Sequence, residues 1–362
     1  MKKIVKRILI ILTITGLIIL IPSSVFYGYW YSAAPEKTCF SCHEIQTSVK
    51  HWQGSAHRNI KCDECHGTAF SNGYHSLKEK AGMVFSHASG KVPEEIALNE
   101  QQLIETMERC TKCHRNEYSN WSAGGHSAKY KDIFLDTIHN SAERVNPDCL
   151  RCHGMFYSGT IYDLMDPIDK KGPWKLNDNA KNNQPVIPCM TCHKVHTEGM
   201  PEENPDYSNP SEIKSKRNLA LPIVGFYNRP DNSFFRADFL PKPKITDKER
   251  QISFSDDPRQ RVCIQCHAPN AWHQSGSSDD RTPTGVHEGI SCLACHATHS
   301  NKTDKTCKSC HPILSNCGID VETMNTSFKD SKSSNNIHFV KCSDCHKESR
   351  EELKKRKKEI KT

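Results

Sequence analysis

The apolar residues of this chain are unevenly placed. One long run lies at the N-terminus, from Ile8 to Ile21; Pro22-Ser23-Ser24 interrupts it, and Val25 to Tyr31 continues it with aromatics. Ile8 to Tyr31 is 24 residues, roughly 36 Å as helix and enough for a hydrocarbon core of roughly 30 Å. Lys2, Lys3, Lys6 and Arg7 precede it, and Tyr27, Tyr29, Trp30 and Tyr31 end it, the flanks expected of a single transmembrane helix with its N-terminus in the cytoplasm. Ser32-Ala33-Ala34 also has the look of a cleavage site. Pro35 directly after it argues against cleavage, so a retained anchor over 1–34 is the favoured expectation.

No second run of that kind follows. The region 201–260 is rich in proline, and LALPIVGFYNRPDNSFFRADFL has two apolar-aromatic runs around Asn228-Arg229-Pro230-Asp231-Asn232. That pattern predicts a β-hairpin near 220–240, within an ordered linker. The tail 348–362 is highly charged and reads as a solvated helix. Hydrophobic residues make up only 36% of the chain, and mean hydropathy is −0.68 even with the anchor included. A protein core alone is therefore thin for this length.

The cysteines change that picture. Of 19 cysteines, 18 fall in nine copies of Cys-x-x-Cys-His, against about 0.05 expected by chance. The cysteine pairs are Cys39/Cys42, Cys62/Cys65, Cys110/Cys113, Cys149/Cys152, Cys189/Cys192, Cys263/Cys266, Cys292/Cys295, Cys307/Cys310 and Cys342/Cys345. The closing histidines are His43, His66, His114, His153, His193, His267, His296, His311 and His346. Two thiols three apart add across the two vinyl groups of one haem, and the adjacent imidazole reaches the iron from the proximal side. Zinc sites would not need histidine directly after the second cysteine every time. The expected cofactors are nine covalently attached c-type haems, supplying much of the buried apolar surface at roughly 36 residues each. The fold expected is mainly α with much irregular loop: a multihaem cytochrome c stack behind one transmembrane helix.

Charge follows from the haems. The formal +7 is that of the bare polypeptide; propionates bring it to about −2 oxidised and about −11 reduced. Much of the Lys/Arg excess is then counter-charge, and no nucleic-acid partner is expected.

Eleven histidines lie outside the motifs. His57, His75, His87, His126, His139, His196, His287, His299 and His338 are the candidate distal iron ligands; His51 and His273 are the others. The count suffices to close every iron with two imidazoles. His196 and His299 extend two motifs to Cys-x-x-Cys-His-x-x-His, and are expected to ligate a neighbouring haem. Met155 and Met83 are weaker candidates, with core packing the commoner role for methionine. Cys317 is the odd cysteine, read as a buried small side chain or free thiol.

The N-terminal third resembles the NapC/NirT/NrfH family of membrane-anchored quinol dehydrogenases. The resemblance rests on the anchor, the CFSCHE opening, Trp52, Ser55 to Asn59 (SAHRN) and His87 to Lys91 (HASGK). It implies electrons taken from membrane quinol at haem 1 and passed to a periplasmic redox protein or reductase. It also places Lys78 and Lys80 where the family has basic residues near the quinol; a solvated helix face is the alternative. Ile45 stands where some relatives have a methionine ligand to haem 1. A Cys-x-x-Cys-His…Trp…His…Cys-x-x-Cys-His unit recurs at Cys39, Cys110 and, more loosely, Cys263. That module resembles the hydroxylamine-oxidoreductase and nitrite-reductase superfamily.

The expected organisation is an anchor (1–34), a NapC/NirT-like domain with haems 1–3 (35–115), a cluster with haems 4–5 (116–200), the Pro-rich linker (201–260), a cluster with haems 6–9 (261–347) and the tail. The expected function is electron transfer from quinol, at the cytoplasmic membrane, to an extracytoplasmic acceptor, with quinol dehydrogenase activity and no catalytic side chain assigned. The alternative is a terminal reductase of nitrite, sulfite, hydroxylamine or a similar small oxyanion. All nine motifs end in histidine, and none has the lysine found at the catalytic iron of many nitrite reductases.

Overall fold

The computed structural model describes residues 2–32, 40, 42–67, 82–92, 96–200, 205–207, 209–215, 223–242, 244, 246–247, 249–267, 282–300, 337–339 and 341. It is helix-dominated, with much loop and small two-stranded sheets. Two units divide the chain: residues 1–98 with 196–198, and residues 99–195 with 199–362.

The first unit begins with helix α1 (Lys2–Ser32). Lys3–Tyr29 is long and apolar enough to cross a membrane, and none of it is buried in protein. Ile8, Leu12, Ile18 and Leu20 are each more than half exposed, which only a lipid surround would stabilise. The helix runs unbroken through Pro22, where the sequence pattern shows an interruption. One lost N–H leaves a single carbonyl to be satisfied locally, a cost apolar helices tolerate. Two short helices follow, α2 (Gln46–Gln53) and α3 (Cys62–His66). A further helical stretch covers 82–88.

The second unit opens on α4 (Glu100–Cys110). Asn99 and Gln102 form a capping box: Asn99 Oδ1 accepts from Gln102 N at 3.0 Å, and Gln102 Oε1 from Asn99 N at 2.9 Å. Each satisfies an end-of-helix donor of the other. Next come α5 (Arg115–Ser122) and α6 (Tyr130–Phe134). Tyr130 and Phe134 sit one helical turn apart and stack at 5.8 Å. They seed the largest core cluster, with Val145, Leu150, Ile161, Leu164, Met165, Leu176 and Val186. Strands β1 (Met165–Asp166) and β2 (Lys175–Leu176) pair Met165 with Leu176, both turned inward. Within this core, Tyr130 Oη–H and Lys181 Nζ both donate to the buried Glu100 carboxylate.

The expected hairpin is present. β3 (Gly225–Asn228) pairs antiparallel with β4 (Ser233–Arg236) around the Arg-Pro-Asp-Asn turn. Asn232 takes the left-handed conformation, φ 48°, which asparagine tolerates, and accepts a 2.5 Å hydrogen bond from Tyr227 Oη. A Cβ at Gly225 would run into the Phe235 carbonyl oxygen, so only glycine fits. Arg229 at the tip donates to Tyr157 O and Gly159 O at 3.0 and 2.5 Å. Tyr227 stacks on Phe156 at 4.2 Å. A second cluster joins Phe226, Ala237, Leu240 and Val262 to Met155, which is 1% exposed. Met155 is thus a core residue. The last long element, α7 (Pro258–His267), carries the sixth motif.

Candidate functional site

Most of the described motifs share one backbone turn. In the copies at Cys110, Cys149, Cys189 and Cys292, the second cysteine N–H donates to the first cysteine's carbonyl at 3.2–3.3 Å. The histidine N–H donates to that carbonyl at 2.9–3.0 Å. This gathers the two thiols and the imidazole within one tight turn. Local caps start these turns: Asn146 Oδ1 accepts from Asp148 N, and Ser291 Oγ from Leu293 N. The turns at Cys189 and Cys292 are 3-10 and do not continue as helix, so His196 and His299 are placed by loop packing rather than by a shared helical face.

Imidazoles face imidazoles across these turns. In the first unit, His66 lies 5.9 Å from His196, ring centroid to centroid. In the second, His267 lies 6.0 Å from His126, His193 6.0 Å from His299, and His296 6.1 Å from His338. The ring planes in these four pairs meet at only 17–39°. A fifth pair, His43 and His87, differs: 5.4 Å and 68°. There the Glu44 carboxylate sits between the rings, hydrogen-bonded to His87 Nδ1 and 3.2 Å from His43 Nε2.

The sulfurs are less uniformly placed than the rings. Thirteen described motif cysteines are free thiols, although the Cys152 and Cys266 side chains are in hydrogen-bond contact, as are those of Cys263 and Cys292. Cys42, Cys65, Cys113 and Cys295 differ most from the expectation of haem-bonded sulfur within a core. Each carries a free thiol, exposed at Cys42, Cys113 and Cys295 and half-buried at Cys65. The physical reason lies in their place within the motif. All four are second cysteines, on the outer side of the turn, and the polypeptide sets no apolar side chain over them. A thioether at such a sulfur is made to a vinyl group of haem, which the fold of the chain cannot itself supply.

Two imidazoles on opposite faces of one iron, each nitrogen about 2 Å from the metal, put their centroids about 6 Å apart. The donor set fits haem for a second reason. Burial and the neighbouring His299 and His114 rings hold His193 down at about 4, the neutral form a metal requires. Residues 1–157 match the NapC/NirT cytochrome c family, N-terminal region, and residues 238–297 match cytochrome c554 and c-prime. The chain is a membrane-anchored multihaem c-type cytochrome. No curated protein and no solved structure matches it.

The first match extends past residue 115 to take in the fourth motif, and the second spans the sixth and seventh. Such families carry haem covalently and work in electron transfer. In this cytochrome the remaining predicted positions are placed as follows. His57 is half-buried, its N–H bonded to Ser55 Oγ at 3.1 Å. His139 is exposed beside Glu143. His287 Nδ1–H donates to Ile337 O at 3.1 Å, which leaves Nε2 available. Cys39, His75, Lys78, Lys80, His273, Cys307, Cys310, His311, Cys317, Cys342, Cys345 and His346 lie outside the described residues, as does the charged tail. Met83 is 45% exposed.

Glu44 is a residue that sequence reasoning passed over, beyond noting it in the opening motif. Its own backbone N–H and His87 hold its carboxyl below the usual range. The available signal was its position directly after a proximal histidine. Asp257 and Ser291, which cap the sixth and seventh motifs, carried no signal of their own.

Proposed function

We propose that this cytochrome takes electrons from the membrane quinol pool and passes them through nine covalently held haems to a redox protein or reductase on the extracytoplasmic face. On this reading the nine cysteine pairs hold the porphyrins and the nine motif histidines are the proximal ligands. His87, His126, His196, His299 and His338 are distal ligands to the haems of His43, His267, His66, His193 and His296. His57, His75, His139 and His287 supply the others.

The observation that carries the proposal is the repeated facing of imidazoles. With both axial positions of an iron taken by nitrogen, no position is left for a small oxyanion, whereas outer-sphere electron transfer needs none. Haem ligated by two imidazoles supplies a one-electron couple at low potential. The chain's residues fix that ligation and bring the attachment points together. The thiol contacts between the fourth and sixth motifs, and between the sixth and seventh, argue for haems close enough to exchange electrons. The NapC/NirT match and the lipid-facing helix support quinol as donor, with Lys78 and Lys80 as the proposed contacts. The basic residues before α1 support an N-terminus in the cytoplasm.

The test supplies a reduced menaquinol analogue to membranes holding only this cytochrome, then adds nitrite, sulfite or hydroxylamine. Haem reduction by quinol, blocked by a quinone-site inhibitor, with negligible turnover of all three substrates, is expected. Sustained turnover with an artificial donor, by protein lacking residues 1–34, would show a terminal reductase instead.

A further inference from the structure

Asp257 is fully buried. It stands immediately before α7, where its Oδ1 accepts from Arg259 N at 3.0 Å. Its Oδ2 accepts from Ser291 Oγ at 2.5 Å. Ser291 is itself the cap of the turn at Cys292. The two caps are thus tied together, and one carboxylate sits between the attachment turns of the sixth and seventh motifs. The Cys263 and Cys292 thiols both feel its charge.

We propose that Asp257 is a proton-accepting group for the two haems attached at Cys263 and Cys292, taking up a proton as those centres gain electrons. This rests on the haem assignment above. The physical reason is charge balance in a poorly solvated place. An added electron makes the neighbourhood of Asp257 more negative, and a buried carboxylate then holds a proton more tightly. The proton comes from bulk water and forms an O–H bond at a carboxylate oxygen. The electron comes from quinol in the membrane or from dithionite in a titration.

The groups facing Asp257 leave it poised for this. Burial raises its proton affinity; Ser291, the Arg259 N–H and the Arg259 and Arg261 guanidiniums lower it. Arg259 is drawn aside, its guanidinium bonded to Tyr207 Oη and lying over that ring. Asp256 next door is paired with Lys242 at 2.8 Å. Solvent approaches closely: a groove of about 550 Å³ is lined by Lys242, Lys244, Ser253, Ser255, Asp256 and Gly289. Ser255 Oγ accepts the Asp257 N–H at 3.2 Å. A proton therefore has a short path from water to a carboxylate that is otherwise sealed.

The test is redox-induced infrared difference spectroscopy on the full-length haem-loaded protein, alongside potentiometry at several pH values. The reduced-minus-oxidised spectrum of the wild type should show a protonated carboxyl band that shifts in D2O. Midpoints should fall with rising pH, by less than the about 59 mV per unit of full one-electron coupling. Asp257→Asn should lose the band and flatten the slope. No such band in the wild type, or a band unchanged in Asp257→Asn, overturns the proposal. Should Asp257→Asn lose haem, Ser291→Ala decides. Removing that donor should move the window of pH dependence upward, and an unmoved window overturns the proposal. A purely structural cap would lower stability in both variants and leave the pH dependence alone. Peptide mass mapping of haem at Cys263 and Cys292 separates this from failure of the haem assignment.

Discussion

His193 and His299 face each other with ring centroids 6.0 Å apart and planes inclined by 23°. Each is the terminal histidine or the appended histidine of a different motif. The pair therefore links the fifth attachment turn to the segment that follows the seventh. Around it, β3 seals the fifth turn by main-chain bonds: Gly225 N to Cys192 O at 2.9 Å and Lys194 N to Ile223 O at 3.0 Å. A ligand supplied from the far side of the fold makes iron binding and tertiary folding one event.

That relationship gives the first prediction. His299→Ala should convert one low-spin iron to high spin, read by EPR of the oxidised protein, while pyridine haemochrome still finds every haem attached by its thioethers. His139→Ala, on an exposed side chain, serves as the comparison for a candidate outside the five facing pairs. An unchanged low-spin count in His299→Ala would remove it from the ligand set.

The second prediction is the haem number. Pyridine haemochrome against protein mass should give nine. Seven or fewer would sink the count and leave some motifs as bare cysteine turns.

How far the sequence reaches can be judged from particular residues. The Cys-x-x-Cys-His turn is legible because its spacing alone closes it, through bonds to the first cysteine's own carbonyl. The apolar run of α1 and the Arg-Pro-Asp-Asn turn are legible for the same local reason. The partner of each proximal histidine is not. His126 reaches His267 from far along the chain, and its neighbourhood is held by Trp121 Nε1 donating to Ile187 O at 3.2 Å, a contact no periodicity announces. Nor does Glu100 reveal in sequence that it lies under Tyr130 and Lys181, because packing of the whole cluster brings those three together.

The buried trio supplies the third prediction. Tyr130 is completely buried, and burial, with Glu100 beside it, drives its hydroxyl well above the usual tyrosine range. It therefore stays a proton donor to Glu100. Tyr130→Phe should cost about 2 kcal/mol, the worth of a hydrogen bond to a charged group. Lys181→Met should cost more, about 3–5 kcal/mol, because it leaves a buried carboxylate without its cation. Urea unfolding of the haem-loaded protein measures both. Equal and small losses would mean that Glu100 finds water in place of its partners.

The last prediction concerns Glu44, the residue that sets the first imidazole pair apart from the other four. His87 Nδ1–H donates to this carboxylate, and Glu44 is mostly covered, with its side chain 16% exposed. A carboxylate behind a ligating imidazole makes the ring a stronger electron donor. A stronger donor favours the oxidised iron and lowers its potential. Glu44→Gln keeps an acceptor oxygen but removes the charge, so the haem of His43 should become easier to reduce. The loss of roughly 1 kcal/mol of charge-assisted bonding corresponds to a rise on the order of 40 mV for one electron. EPR-monitored potentiometry should show one component moving upward and the rest staying in place. Quinol would then reduce that first centre more completely at a given quinol/quinone ratio, and onward transfer would lose the same driving force. If Glu44 only shapes the loop, Glu44→Gln will leave every midpoint where it was, and the carboxylate will have no part in tuning the haem nearest the membrane helix in sequence.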